Sequence, residues 1–149
     1  MIKNAIILNS TIKQLKTALP NYKIFKEVEE ITDKEPCFHV RFTPTKNVVD
    51  RKYYNERGFT IDIIYYPLKA SKRADMLDMI DTLNSIFIHY IDVLEAKNKI
   101  FRIPIKETKE KILNDTFGYY LHYSISCEFF DEVLEHEEFE NMQNVDIDF

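Results

Sequence analysis

Helix, strands, helix, strands is the order of patterns along this chain, and it predicts an α+β fold. The expected architecture is an antiparallel or mixed β-sheet with two amphipathic helices packed on one face, in a single two-layer domain. Three observations predict it. Apolar residues recur at helical spacing in two stretches and alternate strictly in several others. Strict βαβ alternation, which would make a doubly wound parallel sheet, is absent. The chain is rich in Tyr (9) and Phe (11) and has no Trp, a usage that suits a pleated, half-buried surface. Its 149 residues match one domain and suffice to bury a core.

The elements follow in order. Met1 to Leu19 reads as a helix, with Ala5, Leu8, Ile12, Leu15 and Leu19 on one stripe; Pro20 ends it, because proline disfavours helix in the residue before it. Tyr22 to Val28 fits a first strand and Glu29 to Glu35 a polar loop. Cys37 to Thr43 alternates, with Phe38, Val40 and Phe42 on one face and Cys37, His39 and Arg41 on the other, and Pro44 is expected to stop it. Thr45 to Asp50 is then the tip of a hairpin whose return strand is Phe59 to Tyr66, closed by Pro67. Ser71, as N-cap, starts a second helix to Tyr90, with a stripe of Leu77, Ile80, Leu83 or Asn84, and Phe87, flanked by Met76, Met79 and Ile86. Ile91 to Leu94 and Ile100 to Ile105 are short strands around Ala96–Lys99. Thr108 to Leu113 is a weaker strand, followed by a turn at Asn114–Asp115. Phe117 to Phe130 is the longest strand. Its odd residues, Phe117 to Phe129, share one face; Gly118, Tyr120, His122, Ser124, Ser126 and Glu128 share the other. The domain is expected to cover residues 1–130, with an acidic tail over 131–149.

Charge is unevenly placed. Net charge is −5, yet residues 1–80 carry 14 Lys/Arg against 10 Asp/Glu (+4) and residues 81–149 carry 6 against 15 (−9). From Asp131 onward there are eight acids and no Lys or Arg. Opposite poles suit head-to-tail or ring association; the plainer account is a solvated tail that aids solubility. Two glycines, Gly58 and Gly118, cannot build a Gly-rich phosphate loop, which removes the Walker and Rossmann readings. No apolar run approaches the ~20 residues that span a bilayer, and the first ten residues lack a secretory pattern, so the chain is expected to stay where it is made, with no membrane partner. Two cysteines make no disulfide framework.

Chemistry-bearing residues are sparse. Cys37, Cys127, His39, His89, His122 and His136 show no metal-binding spacing, so no metal and no cofactor is expected. His122 shares a strand face with Ser124 and Ser126, but side chains two apart on a strand point in parallel and no Gly-x-Ser-x-Gly elbow exists. Asp62 and Glu128 are the carboxylates a hydrolase would draw on, with nothing in the sequence to bring them together. No catalytic residue is assigned. The better candidate is a protein interface built from Lys46, Arg51, Lys52, Tyr53, Tyr54 and Arg57, a basic group interleaved with tyrosine. Beside it stands a polar sheet face with His39, Arg41, Asp62, Tyr120, His122 and Glu128. Each group has a plainer account, a solvated hairpin tip and the solvent side of a half-buried sheet. Nucleic-acid binding fits the basic group but not the acidic whole, pI ≈ 5.4, so no sequence-specific nucleic acid is expected.

Glu35-Pro36-Cys37-Phe38, the aromatic-basic Arg51–Arg57 stretch, Phe59-Thr-Ile-Asp-Ile-Ile-Tyr-Tyr-Pro67, the amphipathic helix after it and the long aromatic final strand together resemble the phage tail terminator family of prophages and related contractile-tail particles. The resemblance implies a structural protein, not an enzyme. It implies a homo-oligomeric ring, of six subunits, at the head-proximal end of the tail, assembled in the bacterial cytoplasm. Such a ring caps the tube or sheath, ends its growth and presents a surface to the head or neck. Its partners would be tail tube and sheath proteins and a head or neck connector. A head–tail connector ring of the same kind of particle is the alternative. A small metal-dependent hydrolase and a nucleic-acid-binding regulator are more distant ones.

Overall fold

The structure is a computed structural model and describes residues 2–26, 36–49, 54–67, 72–94, 100–115 and 118–132. Two helices, α1 (Asn4–Ala18) and α2 (Arg73–Ile86), accompany six strands: β1 (Lys23–Phe25), β2 (Cys37–Val49), β3 (Tyr54–Tyr66), β4 (Tyr90–Leu94), β5 (Ile100–Asp115) and β6 (Gly118–Glu132). The strand order is β1-β2-β3-β6-β5-β4. Only β1 and β2 run parallel; every other neighbour pair is antiparallel. The α+β class and the mixed sheet with two helices are as the sequence predicts.

The core lies between the helices and one sheet face. Phe38, Val40, Phe59, Ile61, Ile63, Leu121, Tyr123, Ile125 and Phe129 fill it from the strands, the period-2 positions of three adjacent strands. Both helical stripes are rotated from the predicted ones. The buried line of α1 is Ile7, Thr11 and Leu15, and Ala5 is exposed. The run Ile6-Ile7-Leu8 let the stripe be drawn one residue off, and Thr11 enters the core because its Oγ1 donates to the Ile7 carbonyl, 2.9 Å away. In α2, Met76, Met79 and Leu83 are buried, with Phe87 following, whereas Leu77 is exposed. Methionine fills such irregular space well, and sequence spacing alone favoured the leucine. The helix starts after Lys72, whose backbone N–H donates to Asp75 Oδ2 at 3.0 Å; the expected cap, Ser71, lies outside the described residues. Tyr123 brings its hydroxyl into this layer and donates to Asn84 Oδ1 of α2 at 2.7 Å.

Three strands are longer than the sequence reading allowed. β2 does not stop at Pro44 but runs to Val49, and β3 begins at Tyr54, so Lys46–Val49 of the expected tip are part of a ladder, while Asp50 lies outside the described residues. Proline is tolerated because β1 pairs only with Cys37–His39, and among the described residues nothing pairs with β2 on that side beyond His39. Pro44 thus sits on an edge, where a missing N–H leaves no ladder bond unmade. A bulge follows between Pro44 and Lys46. It crowds Gly58 across the ladder: a Cβ there would lie 3.0 Å from Thr45 Oγ1 and 3.1 Å from Lys46 Cβ. The two short strands expected over 100–113 are one strand, β5, bulged between Ile105 and Glu107. Its first half pairs with β4 and its second with β6. The expected turn at Asn114–Asp115 is still ladder, ending on Asp115 opposite Gly118. Gly118 has φ 121°, a conformation that glycine adopts at no steric cost.

The free edge of β4 is closed by α1. Gln14 Nε2 donates to the Ile86 and Tyr90 carbonyls, both at 3.2 Å, and its Oε1 accepts from the Asp92 N–H at 3.2 Å. Ser10 Oγ accepts from the Leu94 N–H at 3.3 Å. Two polar side chains thus stand in for a missing strand, one way a fold blunts an exposed edge.

Candidate protein interface

The sheet face turned away from the helices carries most of the polar residues singled out in the sequence. Register brings them into rows. Arg41, Asp62, Ser124 and Lys109 lie side by side across β2, β3, β6 and β5. Asp62 is the hub of this face. Its Oδ1 accepts from Ser124 Oγ at 2.7 Å and from His122 Nε2 at 2.8 Å. Its Oδ2 lies 3.4 Å from Arg41 Nη2. Burial alone would raise the carboxyl's pKa, but the hydrogen bonds from Ser124 and His122, the imidazole's charge and Arg41 outweigh it and hold Asp62 below its ordinary value of 3.8.

This arrangement does not make a relay for nucleophilic catalysis. In a triad the imidazole sits between serine and carboxylate and takes the serine proton. Here the carboxylate sits between the other two: Ser124 and His122 both donate to Asp62 Oδ1. The Nε2 that faces Ser124, at 3.5 Å, already spends its proton on Asp62. Among the described residues no three His, Cys, Asp or Glu side chains converge as a metal site; His136 lies outside them. Cys37 and Cys127 are buried, and burial pushes the Cys127 thiol up to about 12 against a weaker opposing hydrogen bond from the Lys106 backbone.

Above and below the Asp62 row the face changes character. Tyr120 stacks on Tyr66, ring centroids 5.8 Å apart at 15°. At the other end Lys46 pairs with Glu56 at 2.6 Å and Lys106 with Glu128 at 3.2 Å. Beyond these pairs come Val48, Tyr54 and Phe130, all exposed.

Two further predicted residues are buried, Arg57 on the core side and His39 on the outward parity. Arg57 was placed at the hairpin tip by sequence; it stands within β3 on the core side and is only 9% exposed. It donates from Nη1 to the Ile2 carbonyl at 2.5 Å and to Asp131 Oδ2 at 2.6 Å. It also bonds Asn4 Oδ1 through Nη2, and its guanidinium lies 5.2 Å from the Phe129 ring centre. The Ile2 N–H donates to the same Asp131 oxygen at 3.2 Å. Together these contacts latch the start of α1 onto β3 and β6. The reason is parity: β3 extends back to Tyr54 without a bulge, so position 57 shares the inward face of Phe59 and Ile61 and lies in register with Phe129. Asp131 likewise belongs to β6, which runs to Glu132, beyond the strand end predicted at Phe130. His39 is 3% exposed, with Nε2 3.3 Å from the Lys26 carbonyl. Arg51, Lys52 and Tyr53 lie outside the described residues. The sequence reading missed Val48 and Phe130 as surface features, for which apolar residues on the outward parity of a strand were the available signal, and Val49, which is exposed on the other parity at the end of β2.

An α+β domain with a hydrogen-bonded outer sheet face, paired charges and exposed apolar residues at one end has the makings of an assembly component. A profile described as phage tail terminator protein matches residues 6–140. The chain belongs to the phage tail terminator family and is a structural protein of a phage tail. One solved chain superposes with a TM-score of 0.56 over 89% of this chain and 97% of its own, at 10% identity, a likeness of fold alone.

Proposed function

We propose that this chain forms a ring of six copies that caps the head-proximal end of a tail tube, ends addition of tube or sheath subunits, and offers a surface to the head or neck. The observation that carries the reading is the family match over residues 6–140. The outer sheet face supports it. Its charges are matched internally, as in Lys46–Glu56 and Lys106–Glu128, and its centre is hydrogen-bonded around Asp62; such polar, wet surfaces suit contacts formed late between folded parts. In this reading Arg41, Asp62, Tyr120, His122 and Glu128, together with Lys46, Arg51, Lys52, Tyr53 and Tyr54, carry subunit and tube contacts. Arg57 acts from behind, and His39, buried against the Lys26 carbonyl at the β1 edge, helps hold the strands that present them.

The test is polymerisation of purified tube protein with and without this chain, imaged by negative stain. Tubes of bounded length with extra density at one end are expected. Unchanged tubes, with binding to a neck protein instead, would favour the connector reading. Arg51→Glu with Lys52→Glu is expected to reduce capping; normal capping by that variant removes the hairpin connection from the contact set.

A further inference from the structure

We infer that copies of this chain join side by side through their helices, the basic face of α1 on one copy meeting the acidic face of α2 on the next. The inference rests on the ring reading and names surfaces that would close the ring, on the side of the domain opposite the outer sheet face. Residues 2–26, which include α1 and β1, contain five lysines and no acid. Within α1, Lys13 and Lys16 are exposed and, three residues apart, share a face. Lys16 Nζ donates to the Tyr22 carbonyl at 2.6 Å, a neutral partner that leaves the charge unmatched. α2 has the reverse character. It carries Asp75, Asp78 and Asp81 against one cation, Arg73, in its first turn. Asp78 and Asp81 are exposed and, again three residues apart, share a face.

These charges are not matched within one copy. Among the described residues Lys13, Lys16, Asp78 and Asp81 enter no ion pair, and no ion pair joins the two helices. Asp75 is engaged otherwise, accepting the Lys72 N–H at 3.0 Å. Two cations and two anions at the same axial rise, about 4.5 Å, pair twice at once when the helices lie alongside. A second copy supplies the complement of both stripes, which favours it as the occupant. The stripes sit on different helices, so the contact is heterologous, and such contacts close into rings when the rotation allows. Exposed ion pairs alone are weak, and an apolar contact accompanies them. Leu77, beside Asp78, is 49% exposed. Lys13 borders a groove of about 580 Å³ with Ala18, Leu94 and Ile100 in its wall, where burying Leu77 adds to the pairing. Asp92, the acid in that lining, does not compete for Lys13, because it is paired with Arg102 at 3.1 Å.

The test reverses each stripe in turn, Lys13→Glu with Lys16→Glu and Asp78→Lys with Asp81→Lys, with mass measured by light scattering across a concentration range in low salt. Each double variant alone is expected to need about 100-fold more protein to assemble than the unmodified chain, because like charges then meet at every contact. Mixed in equal amounts, the two are expected to assemble near the unmodified threshold, since in an alternating ring every contact again joins opposite charges. One chain carrying all four substitutions should do the same, and that recovery shows that the variants fold. Double variants that assemble like the unmodified chain overturn the contact and leave the ring reading standing. So does a mixture, or a chain with all four substitutions, that keeps the native circular dichroism yet stays monomeric. An unmodified chain that is monomeric at every concentration overturns the ring of the free chain and this contact with it. Should a reversal unfold the chain, Asp78→Asn with Asp81→Asn replaces it. Salt is expected to raise the assembly threshold of the unmodified chain and to leave that of this variant nearly unchanged; equal salt dependence in the two overturns the contact.

Discussion

At the scale of single residues, the two ionic centres of this domain behave differently because they sit at different depths. Arg57 and Asp131 form a buried pair at 2.6 Å that also satisfies the Ile2 backbone. Removing one partner of such a pair strands a charge, so Arg57→Met is expected to cost about 3–5 kcal/mol in urea unfolding. Adding Asp131→Leu should recover part of that loss, a non-additivity that a double-mutant cycle reads directly. Asp62 lies on the outer face, and its prediction concerns pH. Its folded pKa is depressed below 3.8, so its contribution is present at higher pH and is lost as pH falls through the folded value. Asp62→Asn is expected to flatten the fall in stability between about pH 5 and 3, measured as urea midpoints along that range. An unchanged acid limb would show that the fall comes from other carboxylates. The Asp62 cluster was half legible in the sequence: alternation put Asp62, His122 and Ser124 on outward faces. Only register, which no single strand encodes, placed Asp62 opposite Ser124. Arg57 was not legible, because a basic residue among tyrosines near a presumed turn reads as surface until the length of β3 carries the alternation of Phe59 and Ile61 back to it.

At the scale of elements, the sequence indicated each helix and strand by period, and it failed where punctuation was taken at face value. Pro44 looked like a stop, yet an edge strand accommodates it. The gap between Ile105 and Thr108 looked like a break, yet it is a bulge that lets one strand serve two neighbours. Nothing local announced that α1 would seal β4, since Ser10 and Gln14 resemble ordinary solvent-facing positions. That seal is testable. Gln14→Ala removes two donated bonds and one accepted bond and is expected to destabilise the domain by about 1–2 kcal/mol. Amide exchange should separate the two caps: Asp92 exchanges faster in Gln14→Ala and Leu94 in Ser10→Ala. Equal protection of both amides in both variants would mean that the side chains do not hold the edge. Gly118 offers a backbone prediction at this scale. With φ at 121°, Gly118→Ala is expected to cost about 1–3 kcal/mol and to loosen the β5–β6 hairpin.

At the scale of the whole molecule, β3 is the spine. It is bonded along its length to β2 on one side and β6 on the other, and β6 closes the described fold at Glu132. Residues 67–117 separate the two strands, so their pairing is non-local, and non-local pairing is slow to form. The strand order therefore has a temporal meaning. A nascent chain that has released only α1 through β5 has no partner for the inner side of β3 and leaves Phe59, Ile61 and Ile63 uncovered. Only once β6 has been released can the core shut, since β3 lacks its second partner until then. A ribosome-arrested chain ending before Gly118 should be digested readily by protease, whereas one arrested well beyond Glu132 should resist. Synthesis thus leaves no interval in which a chain still lacking β6 displays a finished outer face, and an assembly that incorporates this protein is presented only with copies whose β6 is in place.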